Sequence, residues 1–171
     1  DSRNEFIALH DVGACTRQIA EHIGPFVYQA STSTACSSAA NAIIHAARML
    51  ECGEAEMAVA GGTECLTKFH LNGFNSLLIL DNAPCRPFCK TRAGLNLGEG
   101  AAYVVLETPE AAQRRGHRPL AILTGYGNAC DAFHQTATSE TADGPYLAMR
   151  KALEKGGLTA QDIDYINAHG T

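Results

Sequence analysis

A layered α/β fold is the class this sequence predicts, and two observations predict it. Apolar strand-like runs alternate with helical runs of ten or more residues, an order that argues for α/β layering with largely buried strands. The 171 residues are 46% apolar and 18% charged, a composition that supports a sizeable core. No internal repeat or low-complexity segment interrupts the pattern.

The clearest helix follows Cys36. Ala39, Ala40, Ile43, Ile44, Ala47 and Leu50 recur at three- and four-residue intervals until Gly53 stops the run, which predicts a buried helix. Residues 57–60 read as a short strand ending at Gly61 and Gly62, where the backbone must turn or approach something closely. Residues 63–100 carry Gly, Asn and Pro without a sustained period and read as an excursion and loop. Residues 101–107 form the second predicted strand. Thr108, Pro109 and Glu110 open a short helix that closes in the basic run Arg114, Arg115, Gly116. A third strand is predicted over 120–127, a second long helix from about Pro145 to Gly156 and Gly157, and a final strand over 163–168.

Charge and cysteine usage narrow the function classes. A formal charge of -5 argues against a dedicated nucleic-acid binder. The longest apolar stretches, such as 101–106, are too short to cross a bilayer and no signal-peptide pattern opens the chain, so the expectation is a soluble protein without a membrane partner. Seven dispersed cysteines without a C-x-x-C pair argue against a disulfide framework or zinc site. They fit a reducing cytoplasm, with most thiols buried and one reactive.

The histidines show no metal-ligand spacing, so no catalytic metal is expected. Gly94, Gly98 and Gly100 are not followed by Gly-Lys-Ser/Thr. Gly125 and Gly127 lack the third glycine of a dinucleotide fingerprint, and both groups read as turns. Asp162 and Asp164 read as a solvated strand edge, and Cys85 and Cys89 as unrelated thiols.

Two segments carry chemistry. Cys36 lies between a polar run and the start of the predicted helix, where the positive end of the helix dipole and unpaired N–H groups favour a thiolate and can steady an oxyanion. Small neighbours, Ala35, Ser37 and Ser38, leave room for a substrate. His169 ends an apolar strand, the end at which open α/β sheets place their sites. Taken singly, a cysteine is more often a buried thiol and a strand-end histidine more often structural.

Together the segments resemble the β-ketoacyl synthase family. Thr-Ala-Cys-Ser-Ser-Ala at 34–39 is similar to its nucleophile motif, and Asn-Ala-His-Gly-Thr at 167–171 to its first active-site histidine motif. Residues 59–64, 97–101 and Asp131-Ala132-Phe133-His134 resemble three further family segments in order and spacing. The resemblance implies a thiolase-like layered α/β fold, incomplete: residues 1–110 the end of an N-terminal half and 111–171 the start of a C-terminal half. It implies a 3-oxoacyl-[acyl-carrier-protein] synthase of fatty-acid or polyketide synthesis. Cys36 would accept the acyl group, and His169 would help decarboxylate the malonyl extender. Thr136 and Thr171 would hold the phosphopantetheine arm, with His134 a cleft residue.

The resemblance further implies an acyl carrier protein as partner, a homodimeric full-length parent and no resident cofactor. Residues 26–34 are candidates for the dimer contact. Arg114, Arg115 and Arg118, or Lys90 and Arg92, are candidates for meeting the acidic carrier. The family's second histidine and lysine lie downstream of the His-Gly-Thr motif, so the expectation is that 171 residues alone do not condense substrates. The chain also departs from the family's R-P-F-D-x-x-R-D-G run: Cys89 and Ala93 replace both acids, a change that points toward a specialised branch. The alternatives are a silent ketosynthase-like partner subunit, a thiolase-like acyltransferase acting on coenzyme A thioesters, and, more distantly, a cysteine hydrolase.

Overall fold

Helix α2 (Ser38–Glu51) is where the sequence predicts it and ends for the predicted reason. Gly53 takes φ 73° and its N–H bonds to Leu50 O at 3.1 Å, closing the last turn in a left-handed conformation that glycine adopts without strain. The structure, a computed structural model, describes residues 11–134 and 136–170. They fall into two compact units. One takes in the described residues to Gly62 with Tyr103–Ala111; the other comprises Thr63–Ala102 and the described residues from Ala112 onward.

In the first unit, α1 (Ala14–Ile23) starts behind Asp11, whose carbonyl accepts from Ala14 N–H at 2.9 Å, and stops at Gly24. It buries Ala14 and Ala20. Strand β1 (Met57–Glu64) follows α2 and runs through Gly61 and Gly62 rather than stopping at them. A Cβ on Gly62 would lie 3.0 Å from that of Ala39, so this glycine serves the close approach of β1 to α2. Strand β2 (Gly100–Glu107) pairs with β1. Thr63 Oγ1 donates to Gly100 O at one end and Thr108 N–H to Glu56 O at the other, which makes the pair antiparallel. Helix α4 (Pro109–Arg114) opens on Thr108, whose hydroxyl accepts from Ala111 N–H at 3.2 Å.

In the second unit, α3 (Lys68–Ser76) occupies part of the segment expected to be loop. Its cap is Thr67, whose side chain accepts from His70 N–H. Helix α5 (Asp143–Gly156) ends as predicted at Gly157, φ 64°. A Cβ on Gly125 or Gly127 would overlap the carbonyls of Ala152 or Ala148, so these glycines are contacts with the α5 backbone and not turns. Residues 160–162 form a short 3-10 turn capped reciprocally by Thr159 and Asp162. Asp162 is therefore a capping residue rather than a solvated strand edge.

Three expectations are corrected. Segments 120–127 and 163–168 carry no strand ladder, because a strand needs a hydrogen-bonded neighbour and among the described residues the pairing is that of β1 with β2, plus isolated bridges at Thr34–Cys36 and Leu80–Leu95. The strands and α2 are also less buried than predicted. Among the described residues the buried apolar side chains are alanines, including Ala46 and Ala47 of α2, while Val105, Ile122 and Tyr165 are exposed. All seven cysteines are free and exposed, so the expectation that most are buried does not hold. Among the described residues no helix is long and apolar enough to cross a membrane.

Candidate active site

Cys36 lies one residue before Ser37, the N-cap of α2, in a turn held almost wholly by its own neighbours. Ser37 N–H bonds to Thr34 O at 3.2 Å, and Ser38 N–H to Ala35 O at 3.1 Å. The hydroxyl of Ser37 donates back to Thr34 O at 2.8 Å, and that of Ser38 to Ala35 O at 2.6 Å while accepting from Thr34 N–H at 2.8 Å. Asn41, one turn into the helix, donates to Thr34 Oγ1 at 2.8 Å and to Ser37 Oγ at 3.3 Å.

The mesh forces Ala35 to φ 51°, a left-handed conformation costing a residue with a Cβ about 1–2 kcal/mol. Because both serine hydroxyls face backward into the turn, neither caps α2 from its N-cap, and the helix presents its positive end beside the exposed Cys36 thiol. This geometry suits a nucleophile: the thiol is accessible and sits at the positive end of α2, in a turn closed by the N–H groups of Ser37 and Ser38. Sequence reasoning located Cys36 but missed the role of Asn41 and the two serines.

The second unit holds the other expected residues. His134 Nδ1 accepts from Thr136 N–H and Ala137 N–H, each at 3.2 Å, so a neutral ring carries its proton on Nε2. His134 and Thr136 are thus brought together. Their loop is tied down by Asp131, whose carboxylate accepts from Ser139 N–H at 2.5 Å, Ser139 Oγ at 2.9 Å and Gly144 N–H at 3.2 Å. The bond from Ser139 N–H, with those from its hydroxyl and from Gly144, holds the Asp131 carboxyl below the usual carboxylate range. Gly144 belongs to the first turn of α5, whose own N-cap Ala142 has no side chain to offer, so Asp131 caps that helix from a distance. In the sequence Asp131 shows only as part of a motif, because the partners of its clamp lie 8 and 13 residues away.

His169 is exposed and precedes Gly170, which takes φ 75°. A Cβ on Gly170 would come 3.3 Å from Pro87 Cβ and 3.8 Å from Phe88 Cε2, so the turn after His169 lies against Pro87 and Phe88. Thr171 is outside the described residues.

Cys89 and Ala93 stand where the acids of the resembling motif are missing, and Cys89 directly follows Phe88. Cys89 Sγ lies 3.2 Å from Thr91 Oγ1, and this hydrogen bond lowers the thiol below its ordinary range. Residues 85–89 are not helical, so Cys85 and Cys89 do not face each other across a helical turn. Elsewhere, an open cavity of about 290 Å³ is lined by Thr16, Arg17, Gln29 and Ser31, but its cation is paired with Asp11 at 2.6 Å. Among the described residues no cluster of three or more His, Cys, Asp or Glu side chains is arranged to hold a metal.

Comparison with known proteins bears on this geometry. Residues 24–112 match the family described as Beta-ketoacyl synthase, N-terminal domain, and residues 120–171 match Beta-ketoacyl synthase, C-terminal domain. The chain is 47% identical over 149 residues to a Rhizobium meliloti protein named 3-oxoacyl-[acyl-carrier-protein] synthase 2, a match covering 82% of this chain and 35% of that one. It is 41% identical over 165 residues to nodulation protein E of Rhizobium meliloti, covering 96% of this chain and 40% of that one. Among solved structures, the ketosynthase ApeO in complex with its chain length factor ApeC, from Xenorhabdus doucetiae, superposes with a TM-score of 0.81 at 35% identity, covering 94% of this chain and 38% of that one. The chain therefore spans between 35% and 40% of the length of these three relatives.

Proposed function

The chain belongs to the beta-ketoacyl synthase family and has its thiolase-like α/β fold, and from that premise we propose that it carries the acyl-accepting part of a 3-oxoacyl-[acyl-carrier-protein] synthase. The observation that carries the proposal is the exposed Cys36 thiol at the head of α2, in a turn whose hydroxyls are all spent on holding it.

In this reading Cys36 Sγ attacks the carbonyl of an acyl thioester borne on the phosphopantetheine of a carrier protein. A new C–S bond forms and the pantetheine thiol leaves with a proton. The malonyl thioester then loses carbon dioxide. Its enolate attacks the Cys36 thioester, forming the new C–C bond and releasing the Cys36 sulfur. His169 assists the decarboxylation by donating a hydrogen bond to the enolate oxygen. Thr136 and Thr171 hold the phosphopantetheine arm beside His134. No resident cofactor or metal takes part.

The parent protein is proposed to act in the cytoplasm as a homodimer, with the halves of the fold meeting near residue 110 and an acyl carrier protein as partner. Cys89 and Ala93, in place of the family's two acids, support a specialised fatty-acid or polyketide branch over a housekeeping one. The presence of Cys36 speaks against a silent partner subunit.

The test is product formation by the full-length gene product, supplied in parallel with acyl and malonyl groups on carrier protein and on coenzyme A. The proposal expects β-ketoacyl carrier protein, with carrier-bound substrates favoured. Turnover of the coenzyme A thioesters alone would indicate the thiolase-like acyltransferase instead.

A further inference from the structure

Phe88 is a large aromatic residue that the fold holds where aromatic residues are rarely found: φ is 63° and the residue is 77% exposed. Burial of its own ring does not account for this conformation. The backbone around it is over-determined. Arg86 donates to Thr91 O through Nε at 3.3 Å and Nη2 at 2.8 Å, and to Pro84 O through Nη1 at 3.2 Å. Its Nη2 also meets Asp81 Oδ2 at 3.1 Å, a carboxylate whose side chain is only 10% exposed. Cys89 N–H bonds to Arg86 O, and Arg92 donates to Cys89 O from both its backbone and its guanidinium. Strain held in place by so many bonds marks a segment kept for what it touches. Pro87 and Phe88 border Gly170, directly after His169: a side chain added there would come 3.3 Å from Pro87 Cβ and 3.8 Å from Phe88 Cε2.

We propose that the turn over residues 86–91 is a positioning element for His169, with Phe88 and Pro87 as its contact face and Arg86 as its brace. The inference rests on the ketosynthase reading above and adds to it residues that meet no substrate. The left-handed Gly170 lets the chain turn immediately after His169, and Pro87 and Phe88 limit how far that turn can swing. The departure at Cys89 leaves the brace intact, because Arg86 and Asp81 remain and the Cys89 contribution comes from its backbone.

The experiment uses the full-length gene product and reads two half-reactions separately: acyl transfer to Cys36 by intact-protein mass spectrometry, and release of labelled carbon dioxide from malonyl carrier protein. Phe88→Gly accepts the left-handed backbone while deleting the ring. The expected result is decarboxylation slower by about tenfold or more, acyl transfer within about twofold of wild type, and restoration of most of the decarboxylation rate in Phe88→Leu. Equal losses in both half-reactions, or undiminished decarboxylation, would overturn the proposal. Hydrogen exchange at the Gly170 amide needs no activity and is expected to be at least about tenfold faster in Phe88→Gly. Unchanged exchange would overturn the contact itself. Should the wild-type protein place no acyl group on Cys36, the ketosynthase reading fails, and the Gly170 exchange still decides whether the turn is held by Phe88.

Discussion

The turn that carries Cys36 and the turn that carries His169 are built in opposite ways. The first is closed by bonds among residues 34–41, each reaching no further than two helical turns. The second lies beside a segment distant in sequence, with Pro87 and Phe88 bordering Gly170. A locally closed turn can keep its shape whatever surrounds it. A turn placed beside a distant segment is exposed to every change in that segment.

That contrast can be broken by substitution. The largest effect is expected where distant backbones touch: Gly127→Ala would place a methyl against the Ala148 carbonyl of α5 and cost about 2–3 kcal/mol in denaturant unfolding. A cost near zero would mean that residues 120–127 do not pack on α5 as described. Within the local turn, Asn41→Ala removes two side-chain hydrogen bonds and is expected to cost about 1–2 kcal/mol, because Thr34 and Ser37 retain their other partners.

The Asp131 clamp gives a signature in pH rather than in a single number. Its carboxyl is held below the usual range by Ser139 and Gly144, so the stabilisation is fully present above the unfolded carboxylate value and is lost as pH falls through the folded one. The stability advantage of wild type over Asp131→Asn should therefore shrink on acidification from neutral pH. An advantage that stays constant down to the acid limit would show that the charge is not what Ser139 recognises. The smallest effect is expected at Ala35. Ala35→Gly relieves the left-handed strain at φ 51° but enlarges the unfolded chain's freedom, and the two should cancel to within about 1 kcal/mol, as read by thermal unfolding.

The same contrast explains what could be read from the sequence. Helix α2 was legible because six apolar positions repeat at helical spacing before Gly53, and Cys36 because its motif and its turn are one contiguous stretch. Helix α3 was not: Gly73 and two asparagines interrupt its short apolar spacing, none of its side chains is fully buried, and the Thr67 cap is its clearest signal. Helix α1 buries two alanines, a signal too weak to stand out. Gly125 and Gly127 were misread as turns because their reason lies in the α5 backbone, beyond any local window. Asp131 and Arg86 escaped likewise, since their partners are known only once the chain is folded.

The most direct test of the account is where an acyl group goes. The full-length gene product, incubated with an acyl carrier protein thioester and digested for mass spectrometry, should carry the acyl group on Cys36 in both wild type and His169→Ala, and nowhere in Cys36→Ala. Acyl label on a thiol other than Cys36, or label that persists in Cys36→Ala, would contradict it.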